Sequence, residues 1–366
     1  MRDTCRLKAA IGRRKVDTAK APEWWISRAG ETEEFLRSLP GVEVFEIGRS
    51  AGGRPIVAAA WGAREDLPNR TCGSLASALS GGKASAFYGE GQRQRQGLLF
   101  LGNAHGIEFE GTVAALNALN VIVRGKDLRG RRWPILQEYG RKLRFVVIPH
   151  FNIDGRVRHD VHRHFLNLDV EEYRRISQGD LRNGDKLVWP KSKLVWPIPP
   201  DSVKVMGGYF NDNGANLVYD TGLGADPQPE TVALTRFLRQ EMPDGVILSH
   251  SNNGSLVCEH ASFIPDHFRV WLQAFSAVAG SACRYKGYRK FSIPQAAHGY
   301  AGQIFYQGDM IYHTCGALPL LVEFPCGYKN DPSTLDELLD ISMTTIQEIA
   351  RFGVEYRFRP REKGRE

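Results

Sequence analysis

Gly97-Leu98-Leu99-Phe100-Leu101, running directly into Gly102-Asn103-Ala104-His105-Gly106-Ile107-Glu108, is the stretch on which the reading of this chain turns. The apolar run reads as a buried strand. A His and a carboxylate three apart, delivered by the end of such a strand, can both turn toward one cation. A hydrolytic zinc site needs that arrangement: two ligands close together, a third from elsewhere, and one position open for water. His-x-x-Glu alone is common, so its weight comes from what surrounds it.

Outward from this strand, Glu110 to Val123 has helical spacing, with Val113, Leu116, Leu119 and Ile122 on one side. Leu143 to Pro149, Gly245 to Ser249 and Leu318 to Val322 read as further strands, and Glu230 to Glu241 and Thr334 to Arg351 as helices. Upstream, Val42 to Ile47 alternates with period two. Gly48 to Pro55 reads as a turn and Ile56 to Trp61 as the returning arm of a hairpin. A helix is expected from Pro22 to Ser38. Residues 156–206 are polar and lack periodicity, which suggests a long loop that walls a binding site. Continuous apolar runs alternating with helices predict an α/β fold, with a mixed, mostly parallel central sheet and helices on both faces. The expected organisation is a lead-in at 1–40, one catalytic domain at 41–355 and a basic tail at 356–366.

With 366 residues, 42% of them hydrophobic, the chain can bury a large core. Its net charge of +7 lies partly in Arg13-Arg14-Lys15 and in Arg357, Arg359, Arg361, Lys363 and Arg365. No aromatic-interleaved basic stripe accompanies them, so a nucleic-acid partner is not expected. No stretch approaches the roughly 20 apolar residues of a membrane helix. No apolar region follows the N-terminal charges, which points to a cytoplasmic protein. Cys5, Cys72, Cys258, Cys283, Cys315 and Cys326 form no C-x-x-C pair and read as reduced thiols.

His105, Glu108, His250 and Glu323 share one topology: each follows an apolar strand, at the edge where open α/β sheets bind ligands. Singly, such residues are most often hydrogen-bonded or solvated. Jointly, they supply what a hydrolytic zinc centre requires: three ligands, and one carboxylate to take a proton from water. His159-x-x-His162-x-His164 imitates a cluster but sits in a polar loop, and reads as surface histidines.

The order His-x-x-Glu, Asn152-Ile153-Asp154-Gly155, a His after a strand and a late Glu resembles the zinc carboxypeptidase family. Gly48-Arg49-Ser50 with Gly53-Arg54-Pro55-Ile56 is similar to that family's hairpin phrase, and Pro229-Glu230-Thr231 to its helix start. The resemblance spans roughly residues 42–350. It implies one zinc ion held by His105, Glu108 and His250, Glu323 as general base, and a peptide or peptide-like substrate. It also implies an oxyanion-stabilising Arg after the Asn-x-Asp-Gly phrase. Arg156, Arg158 and Arg163 all qualify by position, and Arg158 is preferred. A tyrosine that closes over substrate is assigned to Tyr300, with Tyr306 as the alternative.

One departure stands out. The family's Asn-Arg-Asn pattern, which grips a substrate carboxylate, meets Asn211-Asp212-Asn213 here. A carboxylate cannot hold a carboxylate. Asn211 is kept as a substrate-binding residue, and Asp212 beside it is expected to favour an amine, amide or hydroxyl on the substrate, unless an Arg from the 156–206 loop grips a carboxylate instead or Asp212 caps a turn. A deacylase of N-acyl amino acids and an inactive binding relative of the fold are the alternative readings.

Overall fold

Every side chain of the two central apolar runs, Gly97–Leu101 and Arg144–Ile148, is buried, so the sheet they form must be covered on both faces. The computed structural model describes residues 21–67, 94–159, 168–188, 192, 197–222, 226–257, 263–288, 305–327 and 333–359. The lead-in before residue 21, the tail beyond 359, Arg163, His162, His164 and Tyr300 lie outside the described residues.

In chain order, helix α1 (Ala29–Ser38) leads into the hairpin β1 (Val42–Arg49) and β2 (Pro55–Trp61). Then come β3 (Gly97–Leu101), α2 (Glu110–Arg124), α3 (Pro134–Arg141), β4 (Arg144–Ile148), α4 (Ile153–Arg158), α5 (Val170–Ser177), β5 (Gly179–Leu181) and β6 (Val203–Met206). The chain continues with α6 (Pro229–Glu241), β7 (Gly245–Val257), α7 (Asp266–Tyr285), α8 (Gln307–Cys315), β8 (Leu318–Pro325) and α9 (Leu335–Tyr356). Six strands form the main sheet in the order β1-β2-β4-β3-β7-β8. Strands β4, β3, β7 and β8 are parallel, and the hairpin joins antiparallel at the β4 edge. The sheet is thus mixed and mostly parallel, as expected.

The period-two geometry of strands sorts the core into two layers. Leu98, Phe100, Val322 and Phe324 pack with Val113 and Leu116 of α2, Phe275 of α7 and Ile346 of α9. Leu99, Leu101, Leu248 and Leu321 pack with Leu234 and Phe237 of α6 and Ile311 of α8. Phe100 is fully buried, its ring 5.9 Å from that of Phe324; truncation to Ala at such a position costs about 3–5 kcal/mol. Helix α6 starts with Pro229 at its first turn, where a missing N–H costs nothing. Helix α9 starts at Thr334, whose side chain accepts from the Glu337 N–H.

The structure departs from the sequence reading in places. Helix α1 begins at Ala29 rather than Pro22, because Trp25 turns into the core and Arg28 is extended. The polar stretch 156–206 carries α5, capped by Asp169, and the hairpin β5–β6. A small core of Leu187, Ile198, Val203 and Phe210 holds that excursion, too few apolar residues to show as periodicity. Helices α3, α7 and α8 were not anticipated. Cys283, Cys315 and Cys326 are buried thiols. Among the described residues, no helix is long and apolar enough to cross a membrane.

Candidate metal centre

Three adjacent parallel strands carry the chemistry-bearing residues. His105 and Glu108 follow β3, His250 lies in β7, and Glu323 lies in β8 in register with His250. Period two places His250 and Glu323 on the face of Leu248 and Leu321, just beyond the apolar layer that α6 and α8 cover.

The 103–108 loop folds around Asn103, whose φ of +52° is a left-handed conformation that Asn tolerates better than most residues. Its side-chain amide donates to the carbonyls of Glu108 at 2.9 Å and Gly106 at 3.3 Å. Its oxygen accepts from Thr112 Oγ1 at 3.1 Å and from His150 Nδ1 at 2.8 Å. Burial, then the Arg156 charge, lowers the His150 pKa to about 3, so this ring is a neutral donor. One asparagine thereby turns the end of a strand into a rigid platform for two ligands.

The donor atoms converge. His105 Nδ1 lies 3.0 Å from Glu108 Oε1, His250 Nδ1 lies 3.0 Å from Glu108 Oε2, and the two Nδ1 atoms are 3.3 Å apart. All three residues are buried, and one ligand atom from each lies within 4.8 Å of the others. Two ligands at the usual zinc–nitrogen distance and tetrahedral angle sit about 3.3 Å apart, the separation seen between the imidazoles. Two imidazoles and one carboxylate also form the donor set of open, hydrolytic zinc sites. The cluster therefore fits one zinc ion.

Burial would raise the Glu108 carboxyl, but the two imidazoles outweigh it and hold the group well below the ordinary carboxylate range. Two residues on, Glu110 behaves oppositely. Burial first, with the Glu108 charge adding to it, pushes Glu110 up to about 8. A second negative charge beside the ligands is thereby avoided near neutrality.

Two tyrosines that the sequence reading did not single out belong to the surroundings of the centre, Tyr209 in contact with it and Tyr219 within reach of its charges. The Tyr209 ring stacks on the His105 imidazole, with centroids 3.6 Å apart and planes inclined by 7°. Burial, then the Glu108 charge, raises its phenol well above the ordinary value. The Tyr219 phenol is raised by burial, then by Tyr306, Glu108 and Glu323. Gly207-Gly208, directly before Tyr209, was the available signal, since paired glycines mark close backbone approach. For Tyr219 the sequence offered none.

Of the remaining expected site residues that are described, Arg158 and Asp212 meet each other rather than the cluster. Arg158 donates to the carbonyls of Gly207 at 2.8 Å and Phe210 at 2.6 Å, and to Asp212 at 2.7 Å. Asp212 also accepts from Arg54 at 2.7 Å. Burial would raise the Asp212 carboxyl, but Arg158 and Arg54 lower it, so it brings no unbalanced charge to a substrate. Asn211 is fully buried and donates to Gln228 at 2.9 Å and Glu230 at 3.2 Å. Arg156 donates to the Ser27 carbonyl and lies over the Phe109 ring.

The phrases that carried the family resemblance meet here too. Asp154 accepts from Ser50 Oγ at 2.6 Å, Gly52 N at 2.8 Å, Arg54 Nη1 at 2.6 Å and Asp212 N at 3.2 Å. Glu230 accepts from Ala51 N at 2.9 Å, and burial pushes its carboxyl up to about 7. These motifs form a polar junction that ties the hairpin turn, α4, the 207–213 segment and α6 together.

Comparison with known proteins agrees with this geometry. The family model described as zinc carboxypeptidase matches residues 32–351. No curated protein matches the sequence. Among solved structures, a metallo-carboxypeptidase from Burkholderia cenocepacia is similar over 90% of this chain and 70% of its own, at 14% identity and a TM-score of 0.56. Carboxypeptidase A from Helicoverpa armigera is similar over 96% and 78%, at 13% identity and a TM-score of 0.54. A metallo-carboxypeptidase from Pseudomonas aeruginosa, solved with (2-guanidinoethylmercapto)succinic acid, is similar over 90% and 68%, at 14% identity and a TM-score of 0.53. At these identities the likeness is one of fold.

Proposed function

The chain belongs to the zinc carboxypeptidase family, and from that premise we propose that it hydrolyses a peptide or peptide-like amide bond, with zinc held by His105, Glu108 and His250 and Glu323 as general base. The observation that carries this reading is the convergence of two Nδ1 atoms and a carboxylate, with Glu323 in register beside His250 on the next strand. Zinc bound there would polarise the scissile carbonyl and make a water molecule acidic.

The protein's own part concerns protons and exclusion of solvent. The ligands are buried, whereas Glu323 is the one partly exposed side chain of β8. It therefore stands where the ligand cluster meets solvent. A carboxylate in that place takes the proton of an attacking water and returns it to the leaving amine. Glu108 stays ionised between its imidazoles, while Glu110 holds its proton near neutrality.

The test is Glu323→Gln. The variant should keep one zinc per chain and lose about 10²–10⁴-fold in turnover on dipeptides. Near-normal turnover would remove Glu323 from the mechanism. Faster cleavage of N-acyl amino acids than of dipeptides would favour the deacylase reading. Wild-type protein that binds no zinc would leave only a binding relative of the fold.

A further inference from the structure

We propose that Tyr209 is a positioning residue of the metal centre: its ring orients the His105 imidazole by stacking, in place of a hydrogen bond to that imidazole's second nitrogen. The inference rests on the zinc reading above.

A ligating imidazole offers one nitrogen to the metal. The other normally donates to a carboxylate, a carbonyl or water, which sets the ring's orientation and tautomer. His105 departs from that pattern. Its Nδ1 belongs to the cluster, and its Nε2 is buried without a hydrogen-bond partner among the described residues. What it has instead is the Tyr209 ring lying flat against its face at 3.6 Å between centroids. Such a contact resists tilting of the imidazole plane. Glu108 at 3.0 Å restrains Nδ1, and the His250 ring meets the imidazole edge-on at 77°.

The stack can orient a ligand only if Tyr209 is itself held, and three glycines hold it. The Gly208 carbonyl accepts from the Gly106 N–H at 2.8 Å, which joins the Tyr209 segment directly to the His105 loop. A Cβ on Gly106 would lie 2.3 Å from the Arg156 nitrogen, one on Gly155 would lie 2.2 Å from the Gly208 oxygen, and one on Gly208 would lie 2.4 Å from Ile107 Cγ2. No side chain larger than hydrogen fits at these contacts. On the other side, the N–H groups of Gly208 and Tyr209 donate to the carbonyls of Ile176 and Ser177 at 2.8 and 2.9 Å. The two rings thus ride on backbones bonded to each other. The hydroxyl has contacts of its own, with the Tyr173 hydroxyl at 3.5 Å and with the Glu108 carboxylate, so the ring and the hydroxyl must be tested apart.

Zinc dissociation constants measured by chelator competition on Tyr209→Phe and Tyr209→Leu test this. Phe keeps the stack and should bind within about threefold of wild type. Leu keeps bulk but loses the flat face and should bind about 10–100-fold more weakly, the usual loss when a ligand's supporting partner is removed. The zinc-free proteins should melt together, and the visible spectrum of the cobalt-substituted protein should change in Leu and not in Phe. Should Leu fail to fold, Tyr209→Met replaces it. Wild-type affinity in Leu or Met would overturn the proposal, as would a Phe variant as weak as Leu. Wild-type protein that binds no zinc would instead overturn the zinc reading on which the proposal stands.

Discussion

Two polar clusters lie at the same edge of the sheet, one after β3 and within β7 and β8, and one after β4, and they are completed differently. In the junction, Asp154 and Asp212 meet Arg54 and Arg158, and backbone N–H groups take the remaining lone pairs. Its charges close upon themselves. In the metal centre, a carboxylate and two imidazole nitrogens face one another with no guanidinium or ammonium of the described residues among them. Buried acceptors that face only one another call for a cation from outside. A cluster that completes itself is scaffold, and one that does not is chemistry.

The largest test of this contrast is at the open cluster. His250→Ala should abolish zinc binding, measured by elemental analysis, and reduce hydrolysis to background, because two ligands cannot hold an open tetrahedral site. The fold should survive, with unchanged far-ultraviolet circular dichroism. At the closed cluster the expected damage is to stability. Asp154→Ala leaves Ser50 and two backbone N–H groups without their acceptor and Arg54 with Asp212 alone, and should cost about 3 kcal/mol in denaturant melts, the partial exposure of Arg54 softening the loss. Folded Asp154→Ala should still bind one zinc; loss of zinc without loss of stability would erase the distinction between the clusters.

A pH series sharpens it further. Folded Glu230 keeps its proton up to about pH 7, whereas the unfolded chain releases it near the ordinary carboxylate value of about 4.3. Between those values the folded state binds more protons. Stability should therefore fall as pH rises from about 4.5 to 7 and change no further from this group above that. Over that window the loss is of the order of 3 kcal/mol, less where the junction relaxes. Glu230→Gln should flatten the slope; an unchanged slope would place its origin elsewhere. The smallest effect is expected from Asp212→Asn. Asp212 is itself one-third exposed and Asn keeps an acceptor for the buried Arg158, so about 1 kcal/mol should be lost in melts, with zinc affinity little changed.

The sequence made the open cluster legible and the closed one obscure, for a physical reason. Ligands at strand ends are announced by the apolar runs that precede them, as Leu98 to Leu101 announces His105 and Glu108. The strands β3, β4, β7 and β8 were placed for the same reason, although β7 and β8 extend past the expected Ser249 and Val322. Asp212 could not be read alone, because its partners Arg54 and Arg158 lie 158 and 54 residues away. The motif phrases around Ser50, Asp154 and Glu230 pointed to a family correctly, yet they serve the junction and not the cation. Tyr209 escaped notice because a stacked ring leaves no periodicity, and α5 because its buried face is only Tyr173, Arg174, Ile176 and Ser177.

The register between β7 and β8 has a further consequence. His250 and Glu323 are neighbours across one rung of a parallel ladder, so their spacing is inherited from peptide hydrogen bonding, about 4.8 Å between strands. No loop sets that distance and no loop can spoil it. The surrounding excursions are thus at liberty to diverge and retune which molecules enter, while the reach from ligand to acid is passed on unchanged.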